Sequence, residues 1–199
     1  MIRFFECLLC LLVTSPALAQ EIANWPLKGL SGVSGTFVSE TQGRDSSDAS
    51  RSAGRFASVK PNHYLWDVQT PDKQVLLINP AGFWQIDHDL EVVIVRDIPS
   101  TSQLPLANLW MDDTEIAAFR QKVADGELEA ISAFDLKVLS PTTIEMRLVD
   151  ALERETRITL NIESTEAPDE AEFLPIIPVG AEFFDERNDI SVTEMGKQP

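Results

Sequence analysis

The sequence predicts a mostly β fold of the α+β class, in which short helices interrupt an antiparallel sheet. Two observations predict this fold. From 35 to 95, and again after Phe134, apolar residues recur at every second position between turn signals, as in strands with one buried face. Between these regions, residues 112–126 change to the spacing of an amphipathic helix.

The first half of the chain is expected to form six strands separated by turns rich in Pro, Gly, Asn and Asp. Tyr64, Trp66 and Val68 alternate along the third strand, so three large apolar side chains share one face. A loop rich in Ser, Asp and Gly is expected at 42–54. The predicted strands are 36–41, 55–59, 64–68, 74–78, 83–86 and 90–96.

Two helices are predicted in the middle of the chain. The first, 104–110, is short and has Pro105 near its first turn. The second begins with an acidic turn that includes Asp112 and Glu115 and ends at Gly126. Its apolar stripe consists of Ile116, Phe119 and Val123.

Strand spacing returns in the second half of the chain. Three runs, 134–138, 144–148 and 158–162, are predicted strands, and 150–154 joins the last two as a hairpin loop. Residues 173–179 contain two prolines, which suits an edge segment of a sheet.

The first residues predict export. A short apolar run is followed by small residues that end in Ala17-Leu18-Ala19, so residues 1–19 are expected to be a cleaved signal peptide. Both cysteines lie inside it, which leaves residues 20–199 without a thiol, a disulfide or an acyl anchor. We expect one periplasmic domain at 20–187, monomeric and without a stable membrane anchor, and a disordered tail at 188–199.

The charge excludes some partners. The chain has 16 Lys and Arg against 32 Asp and Glu, a formal net charge of −16. Such a charge disfavours nucleic acid and anionic lipid headgroups, because both are negatively charged. It is compatible with simple solubility or with a basic protein partner.

The sequence offers no catalytic constellation, so the protein is not expected to be an enzyme. No Gly-x-Ser-x-Gly motif is present, and only His63 and His88 could act as an imidazole base. Asp87, His88 and Asp89 are adjacent, and adjacent side chains at a strand end point in different directions. We therefore expect neither a metal site nor a cofactor.

Large apolar side chains gather on the predicted sheet and helices, and two interpretations remain open. They can fill a core between one helix face and one side of the sheet, or they can line a ligand cavity. The residues concerned are Phe37, Tyr64, Trp66, Trp84, Leu109, Trp110 and Phe119.

Several motifs, taken in order, carry a resemblance to a known family. They are Ser34-Gly35-Thr36-Phe37-Val38, then Gly54-Arg55-Phe56 with 60–66, then Pro71 and 79–84 with Asp87 and Leu90, then 148–156, and finally 173–180. The chain resembles the LolA family of periplasmic outer-membrane lipoprotein carriers from about residue 27 to residue 184.

The resemblance implies an incomplete antiparallel β-barrel, closed by a lid of short helices over an apolar cavity. LolA-like proteins are chaperones that take acylated lipoproteins from a LolCDE-type ABC exporter of the inner membrane. They deliver these lipoproteins to a LolB-type acceptor of the outer membrane. Shielding is required because each exposed methylene costs about 0.8 kcal/mol in water.

The resemblance also implies roles for particular residues. Lys60 stands where the family usually has an arginine that latches the lid, and a lysine cannot reproduce the planar guanidinium fork. Residues 22–30 contain Pro26 and Gly29 and are expected to form an irregular part of the lid. A LolA-like module that binds another amphiphile, or a protein partner in envelope regulation, remains an alternative. The implied cavity residues are Phe37, Tyr64, Trp66, Val68, Trp84, Ile86, Leu106, Leu109, Trp110, Ile116, Phe119, Met146, Leu148, Ile158 and Leu160.

Overall fold

Ten strands form one sheet in a computed structural model that describes residues 26–43, 49–98, 110–128 and 130–187. One α-helix, α1 (Asp113–Ala124), lies among the described residues. The strands are β1 (Gly32–Gln42), β2 (Ser50–Val59), β3 (His63–Thr70), β4 (Gln74–Asn79), β5 (Gly82–Asp87), β6 (Val92–Arg96), β7 (Ile131–Ser140), β8 (Thr143–Asp150), β9 (Glu155–Ser164) and β10 (Glu182–Asp185).

The strand order across the sheet is β10-β6-β5-β4-β3-β2-β1-β9-β8-β7. Strand β1 joins two hairpin series, because it pairs antiparallel with β2 on one side and with β9 on the other. The order ends at β10 and β7, so within the described residues the sheet stays open. The predicted mostly β fold, an incomplete barrel with a helical lid, is confirmed.

Alternation divides the side chains of the sheet between two faces. We call the face that packs against α1 the inner face and the opposite one the outer face. The outer face carries a smaller buried cluster, Ala57, Leu77 and Phe173. The inner face carries the main core, which includes Val33, Phe37, Phe56, Tyr64, Ile78, Phe134, Leu136, Ile144, Met146, Ile158, Leu160 and Ile162.

Gly54 creates room on the inner face. It lies opposite Phe37 in the β1–β2 register, next to an irregularity in the pairing of β2 with β3. A Cβ atom there would lie 3.0 Å from Phe37 Cε1 and would overlap the carbonyl oxygen of Asp67. The absence of a side chain therefore lets the Phe37 ring lie across β2.

Helix α1 begins and ends as its sequence predicts. Asp112 accepts a hydrogen bond from the Glu115 backbone N–H at 2.9 Å, and the Glu115 carboxylate accepts one from the Asp112 N–H at 2.8 Å. This capping box satisfies two N–H groups that the helix leaves unpaired. Gly126 follows the helix with φ of 72°, a conformation that favours glycine. The stripe of Ile116, Phe119 and Val123 is buried.

Removing the cap is expected to weaken the protein measurably. Asp112→Ala should lower the free energy of unfolding by about 1 kcal/mol, because the Glu115 N–H loses its acceptor. Urea titration followed by circular dichroism measures the change. Asp112→Asn is the matched control and should stay within a few tenths of a kcal/mol of the unsubstituted protein. Equal losses in the two variants would contradict the role of the cap.

Three predicted segments differ from the structure. The strand predicted at 90–96 begins only at Val92, after a turn in which Glu91 has φ of 54°. The loop at 42–54 is shorter than expected, because β1 continues to Gln42 and β2 begins at Ser50. The edge segment expected at 173–179 is not part of the strand ladder. A 3₁₀ turn, Glu170–Phe173, precedes an irregular stretch whose two prolines lack the N–H that a strand ladder needs. The strand at this edge of the sheet is β10, which pairs parallel to β6.

Other predictions fall on residues that the structure does not describe. The signal peptide at 1–19, the tail at 188–199 and the helix at 104–110, apart from Trp110, lie outside the described residues. Of the expected lid segment at 22–30, residues 26–30 are described. They form a turn in which the Leu30 N–H donates to the Leu27 carbonyl at 3.2 Å, and Leu27 is buried in the main core. No helix among the described residues has the length and apolar character needed to cross a membrane.

Candidate functional site

The centre of the inner face is a stack of two aromatic rings. Phe37 from β1 and Trp66 from β3 lie with ring centroids 3.5 Å apart and an interplanar angle of 18°. Phe37 is fully buried, whereas Trp66 is half-buried and packs at the border of the main core. Phe56 of β2 pairs with Trp66 and adds a third ring to the same face. An apolar platform therefore spans three neighbouring strands.

Tyr64 extends this platform toward the start of β3. Its side chain is 8% exposed, and its hydroxyl donates a hydrogen bond to the Pro61 carbonyl at 3.5 Å. Burial raises the pKa of the Tyr64 phenol above its ordinary value, because the anion would lose its hydration. The phenol is therefore uncharged at neutral pH, and this part of the inner face stays without charge.

Helix α1 is fastened to the opposite end of the inner face. Phe119 meets Phe134 of β7 edge to face, with centroids 4.8 Å apart. The Arg120 guanidinium donates to the Asp135 carboxylate at 2.9 Å and to the Leu136 carbonyl at 3.3 Å. Both ionic side chains are about one-third exposed, so water screens the pair and its contribution to stability is small. The apolar stripe is the stronger attachment.

Trp110 forms a second attachment, on the β2 side of the inner face. Its indole N–H donates to Ser58 Oγ at 2.6 Å, and Ser58 is fully buried. The Lys60 ammonium lies 4.8 Å from the centre of the Trp110 ring. Lys60 thus makes a cation–π contact with Trp110, which needs a positive charge over the ring but not the planar fork of a guanidinium.

The structure brings together most of the described residues expected to line a cavity. Trp66, Val68, Trp110 and Leu148 are half-buried and pack around the main core. Leu106 and Leu109 lie outside the described residues. The members that are part of the main core are Phe37, Tyr64, Ile116, Phe119, Met146, Ile158 and Leu160.

Trp84 and Ile86 are not brought to the inner face. Trp84 pairs with Leu77, and Leu77 pairs with Leu65, so all three point away from Tyr64 and Trp66. Trp84 packs against the outer cluster, and its indole N–H donates to Asn79 Oδ1 at 3.3 Å. The apolar side chain that β5 contributes to the main core is Phe83.

Phe83 was missed although a local signal existed. Residues 79–82 form a two-residue hairpin loop in which Asn79 pairs with Gly82. Counting outward from that turn pairs Ile78 with Phe83, and Ile78 lies on the same face as Tyr64. The tight turn therefore places Phe83 on the inner face and excludes Trp84 from it.

Neither histidine belongs to the inner face. His63 meets Phe173 edge to face at 5.2 Å, and its Nδ1 is buried without a hydrogen-bond partner among the described residues. His88 lines a pocket on the outer face together with Asp67 and Glu172, and none of the described residues that line this pocket is a Ser, Thr, Cys, Lys or Tyr that could serve as a nucleophile. In the described part of the chain, no three His, Cys, Asp or Glu residues come close enough to hold a metal ion.

These features define a class of protein, an open β half-barrel whose apolar inner face is covered by a helical lid. Comparison of sequences names the family. The family model described as outer membrane lipoprotein carrier protein LolA matches residues 28–175. The chain belongs to the LolA family, and the resemblance noted from its motifs is confirmed.

Several curated relatives, each named outer-membrane lipoprotein carrier protein, are similar to this chain. The protein from Xanthomonas oryzae pv. oryzae (strain MAFF 311018) is 29% identical over 45% of this chain and 43% of its own length. The protein from Azotobacter vinelandii (strain DJ / ATCC BAA-1303) is 24% identical over 67% of this chain and 72% of its own length. The protein from Pseudomonas putida (strain GB-1) is 21% identical over 77% of this chain and 82% of its own length. The chain spans less than half the length of the Xanthomonas oryzae relative.

Proposed function

We propose that this protein is a periplasmic lipoprotein carrier that shields acyl chains against its inner face and has no catalytic activity. The observation that carries the proposal is the uncharged platform of Phe37, Tyr64 and Trp66 beneath a separate helical lid. Membership of the LolA family and the names of its relatives support the same role.

Binding requires the lid to part from the sheet. Ile116, Phe119 and Val123 of α1 are buried against the inner face, so the described arrangement is closed. An acyl chain that enters replaces these contacts with others of the same apolar kind, and the exchange costs little free energy. Among the described residues, the polar attachments are the Trp110–Ser58 hydrogen bond, the Lys60–Trp110 contact and the bonds of Arg120 to the Asp135 carboxylate and the Leu136 carbonyl.

The route we propose is the one that the resemblance to the LolA family implies. The carrier takes an acylated lipoprotein from a LolCDE-type ABC exporter of the inner membrane and passes it to a LolB-type acceptor, which serves outer-membrane biogenesis. The hydrocarbon must stay covered in between, because exposure costs about 0.8 kcal/mol per methylene. The strongly acidic protein avoids anionic membrane surfaces on the way, since its net charge is −16.

A release assay tests the proposed function. Inner-membrane vesicles that hold a labelled lipoprotein are incubated with the purified protein, and soluble complexes are separated by size. We expect the triacylated lipoprotein to be released in a saturable complex. The same polypeptide without its acyl chains is the control and should not bind. Absence of any complex with the acylated form, or equal binding of both forms, would contradict the proposal.

The lid contact of Lys60 gives a second prediction. Lys60→Met should speed the uptake of a fluorescent acyl probe by about two- to fivefold, because a cation–π contact worth about 0.5–1 kcal/mol no longer holds Trp110. Lys60→Arg retains a cation over the ring and should behave like the unsubstituted protein. Stopped-flow fluorescence measures the rates. Lys73→Met removes an exposed lysine elsewhere and should change nothing. An unaltered rate for Lys60→Met would rule out a latch at this position.

A further inference from the structure

A pocket of about 230 Å³ lies on the outer face, beneath the chain segment that follows the 3₁₀ turn. We call it the outer pocket. Its floor is apolar and comes from three neighbouring strands, which contribute Leu65, Val75, Leu77 and Ile86. Since Leu65 and Ile86 point away from Tyr64 and Trp66, the sheet separates the outer pocket from the inner face.

One wall of the outer pocket is held in place by a buried anchor. Phe173 ends the 3₁₀ turn and is packed into the outer cluster with Ala57 and Leu77. The Asn79 side-chain amide donates to the Phe173 carbonyl at 2.9 Å, and Asn79 is itself buried. Further along the chain, β10 pairs with β6. The segment between these two attachments therefore keeps its position over the floor.

The rim of the outer pocket exposes both apolar side chains and backbone groups. Ile176 is 79% exposed and Leu174 is 64% exposed, although both also line the pocket. Among the described residues, no backbone carbonyl accepts from the N–H of Ile176, Ile177 or Val179. An extended peptide beside this segment can use these donors for main-chain hydrogen bonds.

The charges of the outer pocket favour a basic partner. Arg55 and Asp67 neutralise each other, with a guanidinium nitrogen 3.0 Å from a carboxylate oxygen. The carboxylate of Glu172 lines the pocket without an ion-pair partner among the described residues. The protein as a whole carries a net charge of −16. A Lys or Arg beside the pocket would therefore be attracted, whereas an acidic group would be repelled.

The volume of the outer pocket limits what can enter it. Pockets that enclose a whole small molecule usually measure about 300–1,000 Å³, and this one is smaller. The pocket is far larger than the roughly 10–15 Å³ that one water molecule needs. The fitting occupant is an aliphatic side chain of a larger molecule.

We propose that the outer pocket docks an extended segment of a partner protein, which inserts a Leu-like side chain over Leu77 and places a Lys or Arg beside Glu172. The proposal is independent of lipoprotein carriage, because the two sites lie on opposite faces of the sheet. Loss of acyl binding leaves this docking intact, and loss of docking leaves acyl binding intact.

Methyl NMR of the purified protein tests the proposal directly. The probe is the synthetic peptide Ser-Lys-Leu-Lys-Ser with blocked ends. We expect saturable shifts of the Leu65, Val75, Leu77 and Ile86 methyl signals, with a Kd of about 1 mM or tighter. Ser-Lys-Ala-Lys-Ser and Ser-Glu-Leu-Glu-Ser are the comparison peptides, and each should bind about tenfold more weakly. Absence of saturation at about 10 mM, or equal binding of the three peptides, would overturn the proposal.

Three variants test whether the peptide binds to the lining of the outer pocket or to the surface around it. Glu172→Lys should make the protein prefer the acidic peptide, and Ile176→Asp should weaken the basic peptide about tenfold. Val179→Asp is the matched control, because Val179 lies in the same segment, is 100% exposed and does not line the pocket. Equal effects of Ile176→Asp and Val179→Asp would overturn the proposal. So would tighter binding of lysophosphatidylcholine than of the peptide, because the pocket would then be a lipid site.

Discussion

Phe173→Ala is expected to lower the free energy of unfolding by about 3–5 kcal/mol, the largest effect on stability that we predict for a single substitution. The Phe173 side chain is 1% exposed and fills the space between Ala57 and Leu77 on the outer face. Its removal loses the transfer free energy of a buried ring and leaves a cavity. It also frees the segment that leads to β10, since Phe173 is the buried anchor of that segment.

Urea titration followed by tryptophan fluorescence measures this loss. Trp84 packs against the same cluster and should report the transition. The matched control is Leu174→Ala, one residue further along, where the side chain is mostly exposed. Its effect should stay within about 0.5 kcal/mol. If both variants lose the same stability, Phe173 is not the anchor of the segment.

Trp66→Glu should lower the affinity for a fluorescent acyl probe about tenfold or more, the largest functional effect that we predict. Trp66 stacks on Phe37 at the centre of the inner face. A carboxylate there must either lose its hydration or keep water beside the hydrocarbon, and both outcomes oppose acyl binding. A loss of about 1.4 kcal/mol of binding free energy already produces the tenfold change.

Trp84→Glu provides the matched control for Trp66→Glu. Both tryptophans are half-buried and lie on neighbouring parts of the sheet, but Trp84 belongs to the outer face. It should leave acyl affinity within about twofold, once circular dichroism shows that both variants are folded. Equal losses of affinity would contradict an acyl site confined to the inner face. Tyr64→Glu is a poorer test, because it would place a charge at a buried position and destabilise the folded protein.

The strands were predictable because their signal is local. Apolar residues alternate along a strand because only one of its sides is buried. The predicted strand 36–41 lies within β1, 74–78 lies within β4 and 144–148 lies within β8. The capped helix was predictable for a similar reason, since Asp112 and Glu115 form their hydrogen bonds within one turn. The motif order and the family match also follow from sequence alone.

The outer segment could not be predicted in the same way. Residues 173–179 resemble an edge strand in composition, but Phe173 is buried by Ala57 and Leu77, which lie about 100 residues earlier in the chain. No local pattern indicates that contact. The parallel pairing of β10 with β6 is equally non-local, because it depends on where the segment crosses the sheet.

Sequence alone was enough to establish the mostly β class, strands β1 to β9, the capped helix, the family and the shared face of Tyr64 and Trp66. Each of these depends on neighbours along the chain or on motif order. The contact of Lys60 with Trp110 and the anchoring of the outer segment by Phe173 became visible only in the folded chain, whereas the face of Trp84 also had a local signal in the turn at 79–82. The physical reason is that these two contacts join residues far apart in the chain, whereas a tight turn sets the register of the strands beside it.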